Sequence, residues 1–178
     1  NRNESALFLC GASTKGMTEG RMRTRLAAEL GLAPDAAPLA RVVGLYNAST
    51  RYGGDWQKAY IDVTTDLHFY CDSRTVLDAT SKQGVPAWGY RLDHAPFFMR
   101  LDDCLGVPHT SDLFFLFGNF DSLLDPDEVA LGRRMRQYWK RFAVDPQRLG
   151  GSWPPYGGMA ARQYLALGAS DAVEDAVE

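Results

Sequence analysis

His109 is the residue of this 178-residue chain best placed to do acid–base chemistry. It follows a loop that contains Gly106 and Pro108, and it comes just before the apolar run at residues 113–117. An imidazole held in this way can present one ring nitrogen to a cleft while the packed segment beside it fixes its position. A general base needs that reach and a pKa near neutrality, and histidine offers both. A histidine beside an apolar segment can equally be structural, so its surroundings decide between the two interpretations.

Helices dominate the elements that the sequence predicts. The clearest begins at residue 125, where Asp, Pro, Asp and Glu supply an N-cap, a proline at the first helical position and an acid three residues after the cap. Apolar residues then recur every three or four positions, which is typical of one face of a helix. Similar spacing, with Thr18 and Asp55 as candidate N-caps, predicts further helices at residues 18–31, 34–46, 55–67 and 72–82.

Two segments have the character of strands. Residues 85–93 alternate large apolar and other side chains after a Gly-Val-Pro turn, and residues 1–16 are expected to hold the end of a strand followed by a loop. A single strand cannot satisfy its own backbone groups or bury two faces. We therefore expect an α/β fold that is incomplete on its own. The last eight residues, 171–178, are rich in Ala, Asp and Glu and are expected to form a disordered tail.

Composition argues against several classes of function. A net charge of −3 and an isoelectric point near 5.6, with no basic stripe, argue against a nucleic-acid partner. No apolar run reaches the roughly 20 residues of a membrane-spanning helix. His68, His94 and the cysteines lack the spacing of metal ligands, so no metal site is predicted. The chain begins with Asn1 rather than Met, which suggests a mature or truncated chain.

Three cysteines and two glycosylation sequons bear on the compartment. Cys10, Cys71 and Cys104 are either buried free thiols or one disulfide with a thiol left over, and in the second case the expected pair is Cys71–Cys104. The sequons begin at Asn3 and Asn47. Because such sequons are glycosylated in the secretory pathway, we expect the chain to come from a secreted glycoprotein.

Five segments carry motifs in a defined order. Residues 66–71 have the sequence Asp-Leu-His-Phe-Tyr-Cys, and residues 85–90 have Val-Pro-Ala-Trp-Gly-Tyr. The histidine segment, 105–118, is Leu-Gly-Val-Pro-His-Thr-Ser-Asp followed by an apolar run that ends in Phe-Gly. Residues 135–143 contain Met, Tyr-Trp and Phe-Ala, and residues 153–156 are Trp-Pro-Pro-Tyr. These segments resemble the corresponding ones of the type-B carboxylesterase, lipase and cholinesterase family of α/β-hydrolases.

The resemblance covers most of the chain and implies its place in the fold. Residues 1–170 would be the C-terminal part of an α/β-hydrolase domain, which contributes the last strands of the central sheet and the flanking helices. Residues 1–8 resemble the family segment that ends in Asp-Glu-Gly and an aromatic residue, which makes Glu4 the acid of a catalytic triad. Glu4 precedes His109 by 109 − 4 = 105 positions, in keeping with the order serine, acid, histidine along the chain.

The resemblance also implies the roles of the two residues. His109 would take the proton from a serine hydroxyl and pass it to the leaving alcohol, while Glu4 would orient the imidazole and stabilise its charged form. Three positions depart from the family pattern. Ser5 and Thr110 stand where the family has glycine, and Asp112 stands where it has glutamate. Asp112 is expected to cap a helix or to anchor the loop rather than to act in catalysis.

The nucleophile is missing from the sequence. No Gly-any-Ser-any-Gly elbow and no glycine-rich oxyanion loop occur in it. We expect both in an N-terminal remainder of the same domain, and we expect the 178 residues alone to be inactive. The leading hypothesis is a serine carboxylesterase or lipase that hydrolyses small-molecule or lipid esters without a cofactor. The alternatives are a catalytically silent relative used for adhesion or binding, and a truncated gene product with no function of its own.

Overall fold

The computed structural model describes residues 1–158 and 161–175 and shows a mixed α/β architecture. Helices form most of the amino-terminal half, and the strands lie in the carboxyl-terminal half. A π-helical turn and two 3-10 segments connect some of the helices. The elements are α1 (Ala6–Leu9), α2 (Glu19–Leu30), α3 (Ala37–Leu45), α4 (Ala48–Arg51), α5 (Trp56–Thr65), the π turn (Asp66–Tyr70), α6 (Cys71–Lys82), β1 (Tyr90–Leu92), α7 (Ser111–Leu116), a 3-10 turn (Asp121–Leu123), α8 (Pro126–Val144), a second 3-10 segment (Pro146–Ser152), β2 (Gln163–Leu167) and β3 (Ala172–Asp175).

The three strands form one sheet with the order β1-β2-β3. Strand β1 runs parallel to β2, with Tyr90 beside Leu165 and Leu92 beside Leu167, and β2 runs antiparallel to β3. Next to β1, the backbone N–H of Arg2 donates to the carbonyl of Leu92 at 3.0 Å. The amino end of the chain therefore lies beside β1. This strand leads into the loop at residues 93–109, here called the histidine loop.

The strands at the amino end and before the histidine differ from the expectation. Residues 1–16 contain the helix α1, and no strand is described there. The predicted strand at 85–93 is reduced to β1. Before β1, the carbonyl of Gly89 still accepts from the backbone N–H of Leu165 in β2 at 3.0 Å, but other bonds there go to irregular segments. The carbonyl of Ala87 accepts from the backbone of Tyr156 at 2.7 Å, and the carbonyl of Gly89 accepts from the indole of Trp153 at 2.8 Å.

The carboxyl end also differs from the expectation of a disordered tail at 171–178. Residues Ala172–Asp175 form the strand β3, whose backbone groups hydrogen-bond to β2. Composition carries no information about this pairing. The acidic side chain of Glu174 accepts a hydrogen bond at 3.0 Å from Arg91 of β1. Asp171, the first residue of that predicted tail, accepts a hydrogen bond from Arg134 at 3.1 Å. Residues 176–178 lie outside the described residues, and the predicted domain boundary stays a prediction.

The caps of two helices confirm the sequence analysis. The Thr18 hydroxyl accepts from the backbone N–H of Arg21 at the start of α2, and Gly31 ends that helix in the left-handed conformation with a φ of 64°. At the start of α8, Asp125 accepts from the N–H of Glu128 at 2.9 Å, and Glu128 accepts from the N–H of Asp125 at 3.2 Å. This reciprocal capping box fixes where α8 begins.

The carboxylate of Glu128 has a second set of partners. Its side chain is fully buried, and its Oε1 contacts Nε2 of His94 at 3.2 Å and accepts from Arg100 at 3.1 Å. Both partners lie in the loop between β1 and His109. The first turn of α8 therefore holds the loop that delivers the histidine.

Two clusters of buried apolar side chains make up the core. The first joins α2, α3 and α5, and the second packs the sheet against α7 and α8, with Trp153 at one end. The histidine loop belongs to the second cluster through Ala95 and Val107. The main members of the first are Met22, Leu26, Leu39, Val43 and Ala59, and those of the second are Leu92, Phe115, Leu131, Met135, Leu165 and Leu167.

Within residues 1–158 and 161–175, no helix has both the length and the apolar character needed to cross a membrane.

Candidate active site

Glu4 and His109 form the centre of the candidate site. Nδ1 of His109 lies 2.7 Å from Oε2 of Glu4, and the backbone N–H of His109 donates to the carbonyl of Glu4 at 3.2 Å. The Glu4 side chain is 12% exposed and the His109 side chain is 41% exposed. Among the described residues, Nε2 of His109 has no hydrogen-bond partner. One ring nitrogen is thus held by a largely buried carboxylate, while the other is available to a reacting group.

Hydrogen bonds at Asn3 join residues 1–10, here called the acid segment, to the histidine loop. The backbone N–H of Asn3 donates to the carbonyl of Val107 at 3.0 Å, and the side-chain oxygen of Asn3 accepts from the N–H of Val107 at 3.2 Å. Gly106 has a φ of 55°, and a Cβ at this position would lie 2.4 Å from that same oxygen. Only glycine fits such a close approach at a positive φ. The conformation of Gly106 therefore allows the histidine loop to contact the acid segment directly.

Asn1 connects Glu4 to a second carboxylate. Its side-chain amide donates to Oε1 of Glu4 at 3.2 Å and to Oδ1 of Asp112 at 3.1 Å, and its backbone nitrogen also contacts Oε1 of Glu4. The other oxygen of Asp112 accepts from the hydroxyl of Tyr90 at 2.9 Å. Burial and the nearby Asp112 raise the pKa of Tyr90. Of the two expected roles for Asp112, the contacts are those of a loop anchor, because the N-cap of α7 is Thr110.

Ser5 and Thr110, which stand where the family has glycine, have different surroundings. Thr110 adopts the left-handed conformation, with a φ of 68°, and it is the non-glycine residue with a positive φ among the described residues. A β-branched residue pays a steric penalty there that glycine would avoid. Ser5 is buried, and its backbone N–H donates to the hydroxyl of Thr65 at 3.1 Å. The departure at Ser5 is therefore accommodated, while the one at Thr110 leaves strain next to His109.

Two aromatic rings flank the imidazole of His109. The ring centroid of Phe69 lies 5.4 Å from that of His109, and the centroid of Phe8 lies 5.8 Å away. Both phenylalanines also line an open cavity of about 350 Å³ between the acid segment and α5. Their contacts restrict the rotation of the imidazole, so its exposed edge keeps a fixed direction.

A disulfide joins the acid segment to the histidine loop. It links Cys10 to Cys104, with a Cα–Cα distance of 5.7 Å, and Cys71 is an exposed free thiol. The expected pairing of Cys71 with Cys104 is therefore wrong. The physical reason is the contact between Asn3 and Val107, which places the acid segment, with Cys10, against the histidine loop. Cys71 begins α6 on an exposed face instead.

The other two histidines have carboxylate partners of their own. His68 contacts Glu29 of α2 on an exposed part of the surface, and His94 contacts the buried Glu128. Neither histidine contacts Glu4, although His68 lines the cavity together with Phe8 and Phe69. Within the part of the chain that the structure describes, no cluster of three or more His, Cys, Asp or Glu residues could hold a metal ion.

Comparison with known families identifies the family of the chain. The family model for the carboxylesterase family matches residues 18–178, a range that includes His109 and begins after Glu4. The chain belongs to the carboxylesterase family.

Among other members of the carboxylesterase family, two acetylcholinesterases resemble this chain. The one from Bungarus fasciatus is 29% identical over 119 residues, which cover 57% of this chain and 20% of the relative. The one from Gallus gallus is 29% identical over 110 residues, which cover 56% of this chain and 14% of the relative. The chain thus matches about a fifth or less of the length of these relatives.

Several residues of the candidate site were not predicted from the sequence. Asn1 donates to Glu4, Asn3 accepts from Val107, and Tyr90 donates to Asp112. None of the three carries a motif signal that points to this role. The position of Asn3 beside Glu4 could have indicated its role. The backbone groups next to the acid need hydrogen-bond partners, and the segment that presents the histidine lies close enough to supply them. The predicted pair itself is hydrogen-bonded, and its geometry is that of an oriented base.

Proposed function

We propose that this chain supplies the acid and the base of a serine ester hydrolase. The observation that carries the proposal is the contact of Nδ1 of His109 with Glu4 at 2.7 Å, with Nε2 of the same ring left without a partner among the described residues. In the proposed reaction Nε2 takes the proton of a serine hydroxyl as the oxygen attacks an ester carbonyl. His109 then gives that proton to the leaving alcohol, and the same ring activates water to release the acid. Glu4 keeps the Nδ1 proton in place and stabilises the imidazolium.

The nucleophile and the oxyanion hole are proposed to lie in an N-terminal remainder of the domain. The printed sequence holds no Gly-any-Ser-any-Gly motif, and the chain covers 20% and 14% of the two relatives. Exposed apolar side chains support the idea that further polypeptide packs on this chain. Phe8, which lies beside His109, is 64% exposed, and Phe117 of the histidine segment is 67% exposed. The 178 residues alone are accordingly expected to lack esterase activity.

The substrate is proposed to be a small-molecule or lipid ester, and the chemistry uses no cofactor. The open cavity has an apolar side, lined by Phe8, Leu9 and Phe69, which supports an apolar portion of the substrate near the base. The disulfide supports a secreted protein, because such bonds persist in oxidising compartments. If the protein is glycosylated, Asn47 is the acceptor that fits, since both ends of the Asn3 amide are hydrogen-bonded within the fold.

The strain at Thr110 favours a second candidate function. A catalytically silent relative used for binding or adhesion does not need an unstrained backbone beside the histidine. Such a role would explain why Thr110 adopts the left-handed conformation where the family has glycine. Against it stands the hydrogen-bonded pair of Glu4 and His109.

The two functions differ in their response to loss of the imidazole. In the full-length protein, His109→Ala should lower kcat for p-nitrophenyl butyrate by three or more orders of magnitude, while the far-UV circular dichroism stays unchanged. Arg23→Ala is the control, because Arg23 also pairs with a carboxylate, Glu19, but lies on the surface of α2 and does not line the cavity. Turnover retained in His109→Ala, or absent from the parent protein, would reject the hydrolase.

A further inference from the structure

The disulfide between Cys10 and Cys104 flanks the two proposed catalytic residues. Cys10 follows Glu4 by six positions, 10 − 4, and Cys104 precedes His109 by five, 109 − 104. The bond therefore closes a ring whose opposite side is the hydrogen bond between Glu4 and His109. Residues 4–10 form one arm of this ring, and residues 104–109 form the other.

The arm that carries Cys10 is anchored in the core. The backbone N–H of Cys10 donates to the carbonyl of Ala6 at 2.9 Å, and Ala6 is fully buried. The carbonyl of Leu9 accepts from the side chain of Gln57 at 3.4 Å, and the same amide donates to Thr14 at 2.9 Å. These contacts fix the arm against α5.

The first part of the other arm, at Cys104 and Leu105, has local contacts, whereas Val107 further along the arm is buried in the core. The N–H groups of Cys104 and Leu105 both donate to Asp102, at 2.9 and 3.0 Å, and Asp102 itself donates to Met99 at 3.3 Å. Leu101, just before them, is 84% exposed. Over residues 101–105, the described hydrogen bonds thus connect the loop to itself, and the disulfide connects it to the anchored arm.

We propose that the Cys10–Cys104 disulfide is a positioning element for His109, so that its reduction lowers turnover without unfolding the protein. This inference rests on the proposed function. With the bond intact, the anchored arm fixes the start of the segment that ends in the histidine. Without it, the side-chain contact of Glu4 with His109 and three further hydrogen bonds between residues 3–4 and 107–109 hold the loop near the acid. Each contributes only modestly, so the imidazole samples positions away from Glu4.

The reduction is a two-electron exchange with a dithiol such as dithiothreitol. A thiolate of the dithiol attacks one sulfur, the S–S bond breaks, and the second thiol of the reagent closes its own disulfide. Two electrons and two protons pass from the dithiol to Cys10 and Cys104, which become thiols. Cys71 is exposed and already reduced, so Cys71→Ser removes it from the experiment without touching the bond.

The test uses the full-length protein in the Cys71→Ser background. Reduction, verified by alkylation mapped to Cys10 and Cys104, should lower kcat by about 10- to 100-fold and leave KM within about twofold, because a displacement of about 1 Å in a catalytic group has an effect of this size. Reoxidation should restore kcat. The double variant Cys10→Ser/Cys104→Ser should show the lower kcat under both conditions. An unchanged kcat after verified reduction would overturn the proposal, and so would global unfolding on reduction.

A readout independent of turnover separates this inference from the proposed function. The hydrogen-bonded Nδ1 proton of His109 should give a downfield proton NMR signal in the oxidised protein that is absent from His109→Gln and broadens or disappears on reduction. If the signal behaves in this way but the parent protein hydrolyses no ester, the proposed function fails and the positioning role stands. A signal that reduction leaves unchanged would reject the positioning role even in an active enzyme.

Discussion

Replacing Glu4 by glutamine tests the division of labour at the site most sharply. The substitution keeps the size of the side chain and removes its charge. Oε1 of Glu4 accepts from the side-chain amide of Asn1 at 3.2 Å, while Oε2 faces Nδ1 of His109 at 2.7 Å. A glutamine must therefore turn its oxygen toward Asn1, because its NH₂ group cannot accept hydrogen bonds. The NH₂ group then points at Nδ1 of His109.

This orientation places the wrong proton on the imidazole. A donor at position 4 requires Nδ1 of His109 to accept, so the ring proton moves to Nε2. Nε2 can then no longer take the proton of a serine hydroxyl. Loss of both the tautomer and the charge that stabilises the imidazolium is expected to lower kcat by about 10³- to 10⁴-fold, or about 4 to 5.5 kcal/mol at about 1.4 kcal/mol for each factor of ten.

The assay is hydrolysis of p-nitrophenyl butyrate by the full-length protein, followed by absorbance from pH 5 to 9. KM should stay within about threefold, since Glu4 does not face the substrate. Glu19→Gln is the matched control, because it removes a carboxylate whose partner is Arg23 on the surface of α2. A Glu4→Gln variant whose kcat lies within tenfold of the parent would refute the reasoning from the hydrogen-bond donors of Asn1.

Two further predictions concern stability. Thr110→Gly should raise the free energy of unfolding by about 1 kcal/mol, because it relieves the left-handed conformation at a φ of 68° and recovers more than the entropy that glycine loses; urea denaturation measures this, and an equal or lower value would show that the conformation is not strained. The hydrogen bond from Tyr156, followed by the ion pair with Arg162, lowers the pKa of Asp78 below its ordinary value. The stability from this group is present above its unfolded pKa of about 3.9 and is lost as the pH falls through the lower, folded pKa. Asp78→Asn should therefore lower stability at pH 7, and the difference should shrink below about pH 4; a pH-independent difference would contradict the assignment.

The parts of the structure that local chemistry determines could be predicted from the sequence. The caps at Thr18 and Asp125 depend on side chains within three residues of the helix start, so their sequence signals are sufficient. The strand β2 was not predicted, because its partner β1 lies more than 70 residues earlier and nothing in the sequence near β2 announces the pairing.

The candidate site shows the same division between local and distant information. His109 stands out by its loop and its apolar neighbours, whereas Glu4 becomes a candidate only through the resemblance to a family. The predicted disulfide, Cys71–Cys104, was wrong because the true pairing depends on the contact between Asn3 and Gly106, which are about 100 residues apart in the chain. Periodicity and composition carry no information about such contacts.

The buried carboxylate of Glu128 makes the folding of two distant segments interdependent. It closes the capping box of α8, and it also receives His94 and Arg100 from the histidine loop. An α8 that frays at its first turn withdraws the acceptor from that loop, and a loop that has not yet docked leaves a charge in the apolar interior without compensation. The first turn of α8 and the approach to the histidine are therefore expected to form in a single cooperative step.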